Sequence, residues 1–286
     1  MTTTPRATAV RQTGPRVPRG LMTGALLSVL AVTACGGGAD TASPGSAATA
    51  GPTGGSRAGA SAVTGPVVVF AAASLTGAFG QIGADFQSAN PGTTVTYNFG
   101  ASSALAQQMV AGAPADVFAA ASPATMRTVT DAGDAADPRV FVRNRLQIAV
   151  PPDNPGKVTG LADFAKPQLK IALCAAAVPC GAATTTVFAA TGLQAAPDTL
   201  EQDVKAALSK VQLGEVDAAL VYRTDVLAAG DKVKGIAFPE ADQAVNDYPV
   251  VTLTDAPNSA AAQAFVAYVL SSEGQQVLAD AGFDSP

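Results

Sequence analysis

The 286-residue chain contains no histidine and no tryptophan. Without imidazole there is no His-ligated zinc, no Ser-His-Asp or Cys-His nucleophile, and no histidine pH switch. Aromatic residues make up only 5% of the chain and the formal net charge is −5; together these argue against a surface that stacks bases or tracks a phosphate backbone, so no nucleic-acid partner is expected. The sequence has no Gly-x-x-x-x-Gly-Lys-Ser/Thr loop, which excludes P-loop chemistry, and no Gly-x-Ser-x-Gly nucleophile elbow. No carboxylate pair falls at adjacent strand ends in a way that suggests acid–base work. The residues therefore favour a binding protein over an enzyme.

Charge is unevenly distributed. Arg6, Arg11, Arg16 and Arg19 fall in the first 35 residues, which hold no acidic residue, so the remainder is more acidic than the whole. The four arginines precede an apolar run at 21–32, too short for the about 20 residues that span a bilayer comfortably. This is the pattern of an export leader over 1–34. The leader ends in Val32-Thr33-Ala34-Cys35, which resembles a lipobox and makes Cys35 the lipidation candidate; a plain signal peptide with an incidental cysteine is the alternative. Gly, Ala, Ser, Thr and Pro dominate 36–64 without hydrophobic periodicity, the composition of a disordered tether. The expected arrangement is a globular body held at the outer face of the cell membrane by a lipidated Cys35.

In the body, hydrophobic residues are plentiful, at 48% of the chain. Strands are expected at 66–70, 94–99, 117–120, 146–150, 169–174, 218–221, 235–238 and 248–253. Helical spacing is expected over 75–86, 104–111, 123–132, 181–192, 204–213 and, as one long helix, 259–281. Alternation of strand and helix predicts an α/β fold with largely parallel sheets. The pattern restarts after Pro138, so two lobes are expected, with ligand in the crevice at the strand carboxyl ends. Cys174 and Cys180 are separated by five residues with no other metal ligand nearby; in an exported chain a disulfide is expected rather than a metal site.

Two polar turns stand out. Ser74 ends the first expected strand and opens a helix, and Ser102 does the same after the second. Helix N-termini offer free N–H groups and a partial positive charge, which suits an anion. Taken singly, each serine could equally be an ordinary N-cap.

The segments Val69-Phe70-Ala71-Ala72-Ala73-Ser74-Leu75-Thr76, Phe99-Gly100-Ala101-Ser102-Ser103 and Ala111-Gly112-Ala113-Pro114-Ala115-Asp116-Val117-Phe118 occur in this order. With Val178-Pro179-Cys180-Gly181, Asp203-Val204, Gly214-Glu215-Val216-Asp217 and Val221-Tyr222, they resemble the molybdate-binding proteins of bacterial ABC importers. These are type II periplasmic-type solute-binding proteins, and the resemblance covers 66–286. It implies a two-lobed periplasmic-binding-protein fold, each lobe a mixed sheet flanked by helices. Lobe 1 would comprise 65–145 plus about 245–286, and lobe 2 about 146–244.

The resemblance also implies a ligand, molybdate or tungstate, held between the lobes by neutral donors. Ser74 and Ser102 would give hydroxyls, Ser74 its N–H as well, and Tyr222 its phenol. Cys180 and Val204 would give backbone N–H groups, and Ala121 lies at a further contact position. Cys180 departs from the family pattern, which has a small apolar residue there. No cofactor, and no metal other than that in the oxyanion, is implied. The partners would be a permease and an ATPase, with the protein itself a monomer. Other readings stay open: Ala121 and Val204 as core residues, Tyr222 as a core tyrosine, another oxyanion such as sulfate as ligand, and an exported hydrolase on a similar scaffold. Asp116 and Asp217 would repel a dianion and are read as turn or cap residues.

Overall fold

The computed structural model describes residues 63–286; the expected leader, Cys35 and almost all of the expected tether lie outside the described residues. The first half of the body runs β1 (Gly65–Ala72), α1 (Thr76–Ala89), β2 (Thr93–Gly100), α2 (Ser102–Val110), β3 (Val117–Ala119), α3 (Pro123–Asp131) and β4 (Arg139–Asn144). It continues with β5 (Leu146–Val150), β6 (Ile171–Cys174), α4 (Pro179–Thr191), β7 (Thr199–Glu201), α5 (Val204–Gln212), β8 (Ala218–Tyr222), α6 (Arg223–Ala229) and β9 (Lys234–Ile236). It closes with β10 (Asn246–Thr252), α7 (Ser259–Val269) and α8 (Ser272–Asp280).

These strands form two five-stranded sheets, ordered β2-β1-β3-β10-β4 and β7-β6-β8-β5-β9. The chain leaves the first sheet after Asn144 and enters the second at Leu146, so Arg145 alone spans that crossing; it returns between β9 and β10. Both sheets are mixed rather than largely parallel. β1 is parallel to β2 and β3, but β10 runs antiparallel to β3 and β4. In the second sheet β6 is parallel to β7 and β8, whereas β5 is antiparallel to β8 and β9. The antiparallel strands are those that follow the two crossings, where no helix reverses the chain.

The period-2 alternation of β1 feeds two apolar layers. Val67, Val69 and Ala71 join Phe79, Phe86 and Phe265 of α1 and α7, while Phe70 joins Leu105, Met109 and Phe118 on the α2 face. A strand covered on both faces must be apolar throughout, which is why β1 reads as a continuous hydrophobic run. In the second sheet a single apolar cluster packs β5, β6 and β8 against α4 and α5.

Four elements differ from the sequence expectation, the first being α6, a seven-residue helix that follows β8 directly where no helix is expected. β4 carries Arg139 and Arg143 beside Phe141 and Val142, so its apolar stretch is too short to register as a strand. β7 is a three-residue edge strand. The single final helix is two helices: the Ser271 hydroxyl accepts the Gly274 N–H at 3.2 Å and starts α8, and a Cβ at Gly274 would overlap the Tyr268 carbonyl oxygen. Local capping by serine thus overrides an otherwise continuous helical periodicity.

Candidate functional site: a cage of helix starts

Strand register brings the two singled-out serines together. Ala72 of β1 pairs with Gly100 of β2, so Ser74 and Ser102 each lie two residues beyond matched strand ends. Both strands end at the same edge, and each serine lies in the first helical turn that follows. From the second sheet, β6 leads through Val178 into α4, β7 leads through Asp203 into α5, and β8 ends at Tyr222. Ser74, Ser102, Ala121, Cys180, Val204 and Tyr222 all line one small cavity between the two sheets. Its volume of about 20 Å³ only modestly exceeds the ~10–15 Å³ that one water molecule needs. The close-set lining suits a compact ligand.

Neither serine caps a helix through its side chain: no side-chain cap bond is made at the start of the 73–75 turn, of α1 or of α2. Ser122, Asp203, Asn258 and Ser271 do cap theirs. The Ser102 hydroxyl instead accepts the Ala121 N–H at 3.0 Å, and the Ser74 hydroxyl lies 2.9 Å from that of Tyr248. The Ala121 amide is therefore turned to Ser102, and its carbonyl accepts Asn246 Nδ2 at 2.8 Å.

The second-sheet side offers main-chain donors. In α4 the first residue, Pro179, has no N–H, and the Ala182 N–H is taken by the Val178 carbonyl. This leaves Cys180 and Gly181 as first-turn donors without intrahelical partners. In α5 the Asp203 side chain and carbonyl take the Ala206 and Ala207 N–H groups, leaving those of Val204 and Lys205. Four helical starts thus converge on the cavity, each adding a partial positive charge. Among the described residues no Lys or Arg lines it, and Asp203 is the one charged residue that does. Its carboxylate is spent on the α5 cap.

Tyr222 is buried, and its hydroxyl has no hydrogen-bond partner among the described residues. Burial raises its pKa well above the usual tyrosine value, with the neighbouring Tyr248 and Asp225 adding to the shift, so the phenol stays a neutral donor. A buried, unpartnered hydroxyl costs roughly 1–3 kcal/mol, which is explicable if it serves a ligand. Behind it, the fully buried Asp225 accepts the Tyr222 N–H at 3.2 Å and pairs with Lys205 Nζ at 2.9 Å. Burial raises the Asp225 pKa, and Lys205 opposes the shift.

Cys174, at the end of β6, is disulfide-bonded to Cys180 in the first turn of α4, with Cα atoms 5.8 Å apart. Gly181 is required beside it, since a Cβ there would overlap the Ala175 carbonyl oxygen. The two aspartates read as structural do hold backbone. Asp116 accepts the N–H groups of Val68 and Asn258, both at 2.7 Å, and Asp217 that of Lys170 at 2.8 Å. Sequence reading missed Tyr248, Asn246 and Asn144, which stand behind the serines. Lone polar residues on strands carry no motif; only Tyr248, in an otherwise apolar run, gave any cue.

A fold with two mixed α/β sheets and a ligand-sized cage between them defines a two-lobed binding protein of the type II periplasmic class. Residues 67–284 match the family described as bacterial extracellular solute-binding protein. The chain belongs to that family, and it is a binding protein rather than an enzyme. It is 41% identical over 270 residues to the molybdate-binding protein ModA of Mycobacterium tuberculosis, covering 93% of this chain and 98% of that protein. Among solved structures, the periplasmic molybdate-binding protein of Azotobacter vinelandii aligns with a TM-score of 0.66 and 22% identity, over 77% of this chain and 99% of that one. The sulfate-binding protein SubI of M. tuberculosis aligns at 0.69 and 17% identity, over 77% and 86%. Among the described residues, no helix is long and apolar enough to cross a membrane.

Proposed function

We propose that the protein captures molybdate, and the similarly sized tungstate, outside the cytoplasm and delivers it to the permease and ATPase of an ABC importer. The observation that carries this reading is the cage itself: helix starts and neutral hydroxyls converge on a compact space with no Lys or Arg. Hydrogen bonds to a charged ligand contribute roughly 1.5–3 kcal/mol each, so several neutral donors hold a dianion without a buried cation. The 41% identity to a molybdate-binding protein supports the choice of anion.

In this reading Ser74, Ser102 and Tyr222 give hydroxyls and Cys180 and Val204 give N–H groups. Ala121 lines the cavity at the further contact position and holds Ser102 through its N–H. Lobe 1 (65–145 with about 245–286) and lobe 2 (about 146–244) close on the anion as a monomer. The body hangs from a lipidated Cys35 through the 36–64 tether. Support for the anchor comes from the arginine-led leader and the Val32-Thr33-Ala34-Cys35 motif.

Calorimetric titration with molybdate, tungstate, sulfate and phosphate tests the ligand. Tight binding of the first two and weak binding of the others is expected. Equal affinity for all four, or preference for sulfate, overturns it.

A further inference from the structure

The hydrogen bonds behind the cage have a fixed direction. The main-chain N–H of Arg145 can only donate, and it donates to Asn144 Oδ1 at 3.0 Å. That orients the Asn144 amide, whose Nδ2 then faces Thr224 Oγ1 at 2.8 Å and, more distantly, Tyr248 Oη at 3.5 Å. Tyr248 Oη therefore accepts on that side. Its own proton is then available to Ser74 Oγ, 2.9 Å away. A serine that accepts from behind has its proton free to point forward. Burial raises the Tyr248 pKa, so that proton is held.

Ser102 has the same arrangement by a different route. Its hydroxyl accepts the Ala121 N–H, another group that can only donate. The Ala121 peptide is in turn held through its carbonyl by Asn246. Asn246 and Tyr248 are two residues apart on β10, so one strand backs both serines.

We infer that Asn144 and Tyr248 are positioning residues that fix the Ser74 hydroxyl as a donor into the cage, just as Asn246 and Ala121 fix that of Ser102. Resting on the oxyanion reading above, this fixes both serine hydroxyls of the first sheet as donors. It suits an anion whose four oxygens all accept, and it disfavours one that carries a proton. The relay starts at Arg145, the residue that crosses between the sheets, so lobe geometry and serine polarity share one set of bonds.

The test is a double-mutant cycle on molybdate affinity, with Ser74→Ala, Tyr248→Phe and the double variant of the full chain. Tyr248→Phe is expected to weaken binding about tenfold. Adding it to Ser74→Ala should cost less than about twofold more, because its only route to the ligand is gone. Asn144→Asp keeps the shape but replaces the Nδ2 donor with an acceptor. Tyr248 would then turn its proton away from Ser74, so this variant should also weaken binding, and again only when Ser74 is present. It serves if the apo melt shows that Tyr248→Phe does not fold. Unchanged affinity in both variants, or losses that add fully to that of Ser74→Ala, overturns the relay. Failure of the wild type to bind molybdate, or an unchanged Ser74→Ala, overturns the oxyanion reading instead.

Discussion

The hydroxyl of Ser102, the first residue of α2, accepts the N–H of Ala121 at 3.0 Å and leaves its own helix uncapped. Tyr222, across the cavity, has a hydroxyl with no partner at all among the described residues. The two groups therefore respond differently to removal. Ser102→Ala strands a buried Ala121 N–H, so it should lower apo stability by about 1–3 kcal/mol and weaken molybdate binding about ten- to a hundredfold. Tyr222→Phe should weaken binding by a similar factor while leaving the apo melting temperature unchanged or slightly raised. Titration beside apo melts separates them. A Tyr222→Phe protein that binds like wild type means that this hydroxyl does not meet the ligand.

The anchor can be tested independently of the site. With Cys35 as the lipid acceptor, Cys35→Ala should release the protein from the membrane fraction into the soluble extracytoplasmic fraction. Its molybdate affinity should be unchanged, because the cage lies wholly within 72–222. Retention of Cys35→Ala in the membrane fraction refutes the lipid attachment.

How much of the molecule was legible in the sequence depended on whether the signal was local. β1 and β8 are uninterrupted apolar runs, and Ser74 and Ser102 follow strand ends at matching positions; both features can be read residue by residue. β10 holds the short apolar run Tyr248-Pro249-Val250-Val251, but nothing in its sequence tells that it lies antiparallel between β3 and β4, since sheet order depends on long-range pairing. For the same reason the resemblance could place Ala121 at the site yet could not show that its N–H is turned to Ser102. The roles of Asn144, Asn246 and Tyr248 depend on contacts spanning 80 to 174 residues, beyond any spacing rule. The break between α7 and α8 was missed because Ser271 continues the helical periodicity while its hydroxyl caps the next helix.

Stability toward acid should carry the mark of Asp163. Its carboxylate takes Lys166 Nζ and the Thr159 N–H, both at 2.6 Å. The Lys166 contact is the main cause holding its pKa to about 2, against the usual 3.8. A depressed acid pKa stabilises the fold above the unfolded value, and that contribution is lost as pH falls through the folded one. The stability difference between wild type and Asp163→Asn should therefore be constant above about pH 5 and shrink progressively from about pH 4 toward 2. Asp225 acts with the opposite sign: burial raises its pKa, so its protonation on acidification favours the fold. Because both proteins keep Asp225, subtraction isolates Asp163. A pH-independent difference in denaturant melts shows that the contacts of Asp163 do not favour its charged form.

The Cys174–Cys180 bridge closes a short ring that carries a main-chain donor of the cage. β6 ends at Cys174, the chain turns through Ala175 to Val178, and α4 starts with Pro179. Cys180, in the first turn of α4, is thus tied directly to the end of a sheet strand. Closing so short a ring contributes on the order of 2–3 kcal/mol in chain-entropy terms, so the Cys174→Ala/Cys180→Ala protein should melt lower. Its molybdate affinity should fall only several-fold, because the Cys180 N–H survives the change of side chain and only its placement loosens. Gly181→Ala should do the reverse: the bridge remains, but the new methyl group overlaps the Ala175 carbonyl oxygen and must push the first turn of α4 away from the cavity. Affinity should then drop by more than the stability loss alone would suggest. Alkylation and mass measurement of the unreduced, unfolded wild type checks the bridge, and titration of both variants checks the loop. If the Cys174→Ala/Cys180→Ala protein loses binding altogether while Gly181→Ala retains it, the cage depends on the covalent ring and not on the placement of the α4 start.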